Sequence, residues 1–233
     1  MAKQTVATKK RRAWSTGVFT KQLMAISGLF FVFFLLFHSY GNLKMFLGAD
    51  AYNDYAHWLH EDALVPIFPH GGFLWVFRLV MLILIAVHII AAFITWHASA
   101  SARKQGYVVK RSAVDAYAAR TMRFSGVLLI FFITFHILQF TTRTIKIGFG
   151  AESTPYEMMV ASFSNVWWVI VYLIFVALAT SHVGHGFWSA FQTMGWVRKD
   201  TRTFMLWLSG LIAALIFVMF MVTPLAIVTG IIS

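Results

Sequence analysis

The chain has 233 residues, of which 60% are hydrophobic and only 12% are charged. Because soluble globular domains average about 25% charged residues, this composition indicates an integral membrane protein. The chain has no cysteine, which excludes disulfides, thiol catalysis and any iron–sulfur cluster ligated by this chain.

The chain begins with a polar, basic segment over residues 1–20, which includes Lys9, Lys10, Arg11 and Arg12. Clustered positive charge of this kind is attracted to anionic membrane lipid, and the segment could also contact a partner subunit. We therefore predict a basic cytoplasmic N-terminal segment at 1–20, followed by one transmembrane domain over 21–233.

Beyond this segment lie five apolar runs, each close to the length of about 20 residues that a helix needs to cross a bilayer. The first run lacks the small-residue cleavage site of a signal peptide, so we expect it to remain as a helix. The sequence thus predicts an all-α membrane protein with five transmembrane helices. The predicted spans are Leu23–Leu43, Phe73–Trp96, Phe124–Phe140, Val166–Phe191 and Phe204–Ile232.

Basic and acidic residues are divided between the two sides of these spans. The residues before the first span (1–22) and the connections after the second and fourth spans carry 15 of the 19 Lys and Arg residues, and the other two connections carry six of the eight Asp and Glu residues. Since Lys and Arg concentrate in cytoplasmic loops, we predict a multi-pass protein of the cell membrane (plasma or inner) with its N-terminus cytoplasmic and its C-terminus outside. The net charge of +11 then reflects topology and does not indicate nucleic-acid binding.

Four of the spans carry a histidine beyond their midpoint. Ionisable side chains within a membrane are costly and normally face the bundle interior, where they meet a partner. Because successive spans run in opposite directions, these histidines fall into an outer and an inner layer, roughly 15 Å apart at about 1.5 Å per residue. Two histidines per layer suit the two axial positions of a haem iron. The outer histidines are His38 and His136, and the inner histidines are His88 and His182.

The fourth span offers a second candidate ligand, because His185 lies three residues after His182 and shares its helix face. A membrane histidine can also serve only as a hydrogen-bonding group between helices. Four histidines in two layers, with no intramembrane carboxylate to complete a proton path, favour haem ligation over that alternative.

The first and third spans contain an internal repeat. Residues 24–38 read MAISGLFFVFFLLFH and residues 122–136 read MRFSGVLLIFFITFH, with seven of the fifteen positions identical. Spans one–two and three–four are therefore predicted to be parallel repeats about an axis along the membrane normal. Gly28 and Gly126 lie near the depth of the other histidine layer, where the missing side chain admits a porphyrin or a neighbouring helix.

Further polar residues are expected near the outer layer. Arg78, in the outer third of the second span, either snorkels to the surface or pairs with a haem propionate. A quinone site needs an apolar cleft with a few polar groups that handle protons, and the first outer connection supplies such groups, although a solvated loop surface is the alternative. The quinone-site candidates are His57, His60, Glu61 and Asp62. No phosphate-binding loop or nucleophile with its base is recognisable, so we expect no catalytic residue on this chain.

Together these residues resemble a known family. The four spaced histidines, the sequence HVGHGFWSAFQ in the fourth span, the Ser-Gly pair followed after nine residues by His in spans one and three, and AYNDYAH in the first outer loop are similar to the di-haem cytochrome b subunit of succinate dehydrogenases and fumarate reductases. The similarity covers about residues 20–232. It implies five transmembrane helices bundled around two stacked b haems.

The resemblance also implies a function. In that family a separate flavoprotein subunit oxidises succinate, and an iron–sulfur subunit on the cytoplasmic face passes electrons to the membrane subunit. The membrane subunit delivers them to a quinone, typically menaquinone for the di-haem type. By this resemblance His38 and His136 would ligate the outer haem, and His88 and His182 the inner one, which favours His182 over His185.

One position departs from part of the family. Some of its fumarate reductases carry a membrane glutamate two residues before the fourth histidine, as part of a proton path. Thr180 occupies that position here, which favours succinate oxidation as the physiological direction.

Two other functions remain open from the sequence. The di-haem anchor of a hydrogenase or a formate dehydrogenase would use the same histidine chemistry with another soluble partner. A haem-free transporter would use the histidines as proton-relay or packing groups.

Overall fold

A computed structural model describes residues 17–101 and 113–233, with side chains described from residue 120 onward in the second range. Within these residues the chain forms helices and no strand, which confirms the predicted all-α class. The α-helices, numbered α1 to α7 in chain order, are Gly17–Leu43, Ala49–Glu61, Gly72–Ser101, Ala113–Phe140, Pro155–Phe163, Val166–Thr193 and Arg202–Val228, and a short 3-10 helix at Lys44–Leu47 follows α1. Most of the predicted N-terminal segment (1–16) and the basic residues Arg103, Lys104, Lys110 and Arg111 lie outside the described residues.

Five of these helices, α1, α3, α4, α6 and α7, are long and apolar enough to cross a membrane. This confirms the predicted number of spans and indicates a multi-pass membrane protein. The ends differ from the predicted ones by a few residues: α1 begins at Gly17, before the apolar run itself. At its other end the fifth span stops at Val228, because Gly230 adopts a positive φ of 75° that terminates the helix.

The two outer connections, predicted only as polar, contain the short helices α2 and α5. α5 starts with a capping box, in which Thr154 Oγ1 accepts from the Glu157 amide at 3.3 Å and the Glu157 carboxylate accepts from the Thr154 amide at 2.8 Å. α2 and α5 pack on each other, and Asn53 Oδ1 accepts a hydrogen bond from the amide of Tyr156 at 3.1 Å. These side-chain acceptors satisfy amides of the first helical turn that have no partner within the helix.

The two ends of the bundle differ in character. α2 and α5 lie at one end, where Thr223 donates to the carbonyl of Asn42 at 3.3 Å, and we call this end the short-helix face. At the opposite end the guanidinium of Arg123 lies 5.4 Å from the ring centre of Trp96. We call that end the basic face, and its described basic residues are Lys21, Arg120, Arg123, Arg198, Lys199 and Arg202.

The helices are unequally enclosed. α1 packs against α3, α6 and α7, and α6 packs in addition against α4 and α7. In the apolar 18-residue stretch of α3 and of α4 only 6% of the residues are buried, whereas 33% are buried in the corresponding stretch of α7. Within the described residues, α3 and α4 have no extensive packing against each other. The four histidine-bearing helices are therefore an open row, with α1 and α6 at its centre and α3 and α4 at its ends.

Candidate functional site

His38 and His136 come together towards the short-helix face. Their rings meet edge to face with centroids 5.8 Å apart. Metal–imidazole bonds are about 2 Å long, so two imidazoles on one metal place their ligating nitrogens about 4 Å apart. Ring centres lie somewhat further apart than the nitrogens, so the observed separation is of the order that two axial ligands require.

His88 and His182 form a second group, deeper in the bundle. A Cβ atom on Gly28 would lie 3.4 Å from Cε1 of His88, and a Cβ atom on Gly126 would lie 3.4 Å from Cε1 of His182. Gly28 and Gly126 hold the same position in the repeat, so His88 and His182 face equivalent points of α1 and α4. Gly28 precedes His38 by ten residues, or about 15 Å along the helix, so the two pairs lie at two depths.

Serine hydroxyls of the repeat face both deeper histidines. Ser27 Oγ lies 3.0 Å from Nδ1 of His88, and Ser125 Oγ lies 3.1 Å from Nδ1 of His182. Each serine immediately precedes one of the two glycines described above. The repeated Ser-Gly pair thus contacts the histidine of the paired helix in both halves of the chain, with the serine beside the ring nitrogen and the glycine beside the ring carbon.

A buried chain of polar groups leads from His136 to α5. Nδ1 of His136 lies 3.4 Å from the Tyr172 hydroxyl, which donates to Gln139 Oε1 at 2.7 Å. Gln139 Nε2 in turn donates to Ser162 Oγ at 2.9 Å. Gln139 and Ser162 are fully buried, so this chain satisfies polar groups that have no access to water.

Aromatic rings line the surroundings of both pairs. Phe34 stacks on His38 with centroids 5.2 Å apart, and Phe132 lies 6.0 Å from the ring of His136. In the deeper layer Phe31 meets His88 edge-on at 5.6 Å. Apart from the hydroxyls on their ring nitrogens, the histidines thus have apolar and aromatic neighbours, which suits a flat apolar macrocycle.

The residues present could hold a haem at each depth. Each depth has two histidines, and each of the four residues keeps part of its surface accessible within the bundle. Among the described residues, no group of three or more His, Asp or Glu side chains is placed to hold a metal ion. A haem iron takes only two axial ligands from the protein, so a pair of histidines is a sufficient set.

His185 occupies a different environment from His182. Its residue is exposed, whereas His182 is half-buried and has the Ser125 hydroxyl on its ring nitrogen. His185 lies three residues further along the same face of α6. Its greater exposure, and the serine hydroxyl on the ring of His182, favour His182 as the ligand of the two.

The outer polar candidates gather on the short-helix face. The Arg78 guanidinium lies 3.4 Å from Nε2 of His60 and 5.1 Å from the ring centre of Trp75. Asp62 accepts from His70 at 3.0 Å and lies 4.0 Å from His57. His57, His60 and Glu61 are exposed, and Asp62 and Arg78 are half-buried.

The phenols of α2 stay neutral beside these candidates. Burial raises the pKa of Tyr52 to about 12, and the neighbouring Tyr55 adds to the shift. Burial also raises the pKa of Tyr55, with a further contribution from Tyr40. These tyrosines therefore supply no negative charge to the short-helix face at neutral pH.

Sequence reasoning missed the partners of the histidine rings. Tyr172, Gln139 and Ser162 are polar residues within apolar helices, and their isolation among hydrophobic neighbours was the available signal. The serines of the repeat belong to a motif that the sequence shows, but their contact with the paired helix is visible only in the fold.

No protein-family model, curated protein or solved structure matches the chain, so interpretation of the site depends on its own residues and geometry.

Proposed function

We propose that this chain is the di-haem membrane anchor and electron conduit of a succinate:quinone oxidoreductase. In this proposal a flavoprotein subunit oxidises succinate, and an iron–sulfur subunit delivers electrons to this chain. The chain itself carries two b haems and passes the electrons to a quinone, for which menaquinone is our choice.

The observation that carries the proposal is the grouping of four intramembrane histidines into two pairs. His38 lies against His136 at one depth, and His88 and His182 each face a Ser-Gly pair of the repeat at another. A haem iron with two axial histidines supplies one-electron transfer. Two such sites at different depths provide a route across the membrane, which a single site would not.

The protein side chains have distinct tasks in this proposal. The histidines hold the irons, the aromatic rings exclude water, and Gly28 and Gly126 keep the space beside the inner imidazoles free of side chains. Arg78 is the candidate partner for a propionate near the short-helix face. Its present neighbours, His60 and Trp75, hold the guanidinium at that end of α3.

We assign the side on which the partner subunits bind from the distribution of charge. The basic face carries Arg198, Lys199 and Arg202 among its described residues, and Lys and Arg concentrate on the cytoplasmic side of membrane proteins. We assign this face to the cytoplasm, with the iron–sulfur subunit bound there and the C-terminus outside. Protease added to intact cells should then spare the connection over 99–121, and cleavage there would invert the assignment.

Quinone chemistry is assigned to the short-helix face. Reduction of menaquinone by succinate is mildly uphill in this family, and movement of one charge through 100 mV is worth about 2.3 kcal/mol. Reduction on the outer side lets the membrane potential assist the reaction, which gives the second histidine pair a use. The polar groups available there are His57, His60, Glu61 and Asp62.

A haem assay on the natively purified complex tests the proposal. We expect two non-covalent b-type haems per chain in a pyridine haemochrome assay, together with co-purification of a flavoprotein and an iron–sulfur protein. A colourless preparation would support a haem-free transporter. Two haems with a hydrogenase or formate dehydrogenase as partner would retain the histidine chemistry and overturn the assigned reaction.

A further inference from the structure

Three of the four paired histidines have Nδ1 next to a hydroxyl oxygen. The hydroxyls belong to Ser27 beside His88, to Ser125 beside His182 and to Tyr172 beside His136, at 3.0, 3.1 and 3.4 Å. A hydroxyl has one hydrogen to donate and two lone pairs that accept. The direction of each contact therefore depends on where the hydroxyl hydrogen goes.

In the inner layer the serine hydrogen has another acceptor. Ser27 Oγ donates to the carbonyl of Leu23 at 2.7 Å, with the carbonyl of Met24 at 3.1 Å, and Ser125 Oγ donates to the carbonyl of Met122 at 3.3 Å. Carbonyl oxygens only accept, so the serine hydrogen is directed along its own helix. The oxygen that faces the imidazole is then an acceptor, and the ring nitrogen beside it must carry a hydrogen.

In the outer layer the amide of Gln139 sets the direction. The Tyr172 hydroxyl donates its single hydrogen to Gln139 Oε1, and the Gln139 amide group donates to Ser162 at the far end of the chain. The Tyr172 oxygen is therefore left as an acceptor towards Nδ1 of His136. Because a neutral imidazole carries one hydrogen, Nε2 is the nitrogen left with a free lone pair.

We propose that Ser27, Ser125 and Tyr172 are positioning residues that fix the Nδ1-protonated tautomer of His88, His182 and His136 and so present Nε2 as the metal-ligating atom. The inference depends on the proposed function, because it assigns a role to these contacts in haem ligation. Hydrogen bonds from the second ring nitrogen orient ligating histidines and raise their basicity.

His38 differs from the other three ligands. Within the described part of the chain its ring has aromatic neighbours, Phe34 and Phe220, but no hydrogen bond to its nitrogens. The outer pair therefore has one oriented histidine and one held by stacking, whereas both inner histidines are oriented. The effect of removing a hydroxyl should consequently be confined to one layer at a time.

The test is a redox titration of the two haems in the purified complex, carried out on Ser27→Ala, Ser125→Ala and Tyr172→Phe. Loss of an acceptor makes the imidazole a poorer electron donor, which disfavours ferric iron. We expect a positive shift of one midpoint potential in the two serine variants, and a positive shift of the other potential in Tyr172→Phe. Ser27→Thr, which keeps the hydroxyl, should restore the wild-type value.

Matched controls separate positioning from packing. Ser39→Ala removes another buried serine of α1. The Ser39 hydroxyl donates to the Leu36 carbonyl and makes no hydrogen bond to a histidine. Tyr156→Phe removes a hydroxyl that donates instead to the carbonyl of Ser233. Both controls should leave the two potentials unchanged.

The outcomes distinguish this inference from the function it depends on. Two haems with unshifted potentials in all three variants would overturn the positioning role and leave the proposed function intact. A wild-type protein without haem would overturn both. If Ser27→Ala fails to assemble, Ser125→Ala tests the same inner pair, and an unshifted potential there would contradict the inference.

Discussion

The imidazoles of His38 and His136 meet edge to face, with their centroids 5.8 Å apart, at a point where α1 and α4 have no extensive packing in the described residues. Two side chains thus bring together helices that otherwise remain apart. Ionisable side chains within a membrane normally face a partner, and here the two imidazoles face each other.

The first prediction follows from this pairing. His38→Ala and His136→Ala should each remove the same haem, and His88→Ala and His182→Ala should each remove the other, because both ligands of one iron must lie at one depth. Redox titration of each variant would show which midpoint potential disappears. If His38→Ala and His88→Ala abolish the same potential, the depth assignment is wrong.

The second prediction concerns the neighbouring histidine of α6. His185→Ala should retain two haems, with at most a shifted inner potential, because His185 is exposed and only near His182. Haem content and the low-spin absorption spectrum are the measurements. His97→Ala, at another exposed histidine, is the control, and loss of a haem in His185→Ala alone would transfer the ligand role to His185.

The third prediction uses the two glycines of the repeat. Gly28→Ala should be tolerated, since its Cβ would meet His88 at 3.4 Å, whereas the extra methyl groups in Gly28→Val or Gly126→Val should displace an inner imidazole. We expect the valine variants to lose the inner haem and keep the outer one. Gly210→Val is the matched control, because no atom lies within 4 Å of the added Cβ there. Equal haem loss in the control would mean that valine disturbs the helices generally.

The fourth prediction addresses quinone reduction. Glu61→Gln or His57→Ala should slow electron transfer from succinate to a menaquinone analogue, while reduction of an artificial soluble acceptor by the complex continues at the wild-type rate. Asp54→Asn, which removes another exposed carboxylate from α2, should leave both rates unchanged. Unaltered quinone kinetics in the Glu61 and His57 variants would place the quinone elsewhere.

The fifth prediction concerns stability. Gln139→Leu should destabilise the protein by about 1–3 kcal/mol for each polar group it leaves unpaired, because Tyr172 and Ser162 would lose partners in a buried site. Thermal denaturation in detergent is the measurement, with Gln192→Leu at an exposed position of α6 as the control. The double variant Gln139→Leu/Tyr172→Phe should lose less stability than the sum of the two single variants, since Tyr172→Phe removes the hydroxyl whose acceptor Gln139→Leu takes away. Strict additivity would show that the two groups are not coupled.

The sequence was a good guide wherever a one-dimensional signal controls the structure. Uninterrupted apolar runs identified the five spans, since a bilayer demands about 20 such residues. The ends of the spans were less certain, because residues such as Gly17 continue a helix outside the apolar run. Thr154, Pro155 and Glu157 form a capping pattern at the start of α5 that is visible in the sequence.

Side-chain contacts between helices could not be predicted from the sequence. The repeat showed that Ser27 and Ser125 have similar surroundings, but only the packing of α1 on α3 and of α4 on α6 shows that each faces an imidazole. Similarly, Tyr172 and Gln139 are separated by 33 positions, and no local pattern predicts that their side chains meet. Long-range side-chain pairs depend on helix rotation, which apolar periodicity leaves open when a helix is apolar on all sides.

The uneven enclosure of the helices separates three central helices from two outer ones. α1, α6 and α7 bury their apolar surfaces against one another, whereas α3 and α4 each pack mainly against one central helix. In the proposed function each iron would be held by one central and one outer helix, through His38 of α1 and His136 of α4, and through His182 of α6 and His88 of α3. Haem binding would then tie each outer helix to a second central helix, and loss of one haem would loosen one outer helix while the central three stay packed.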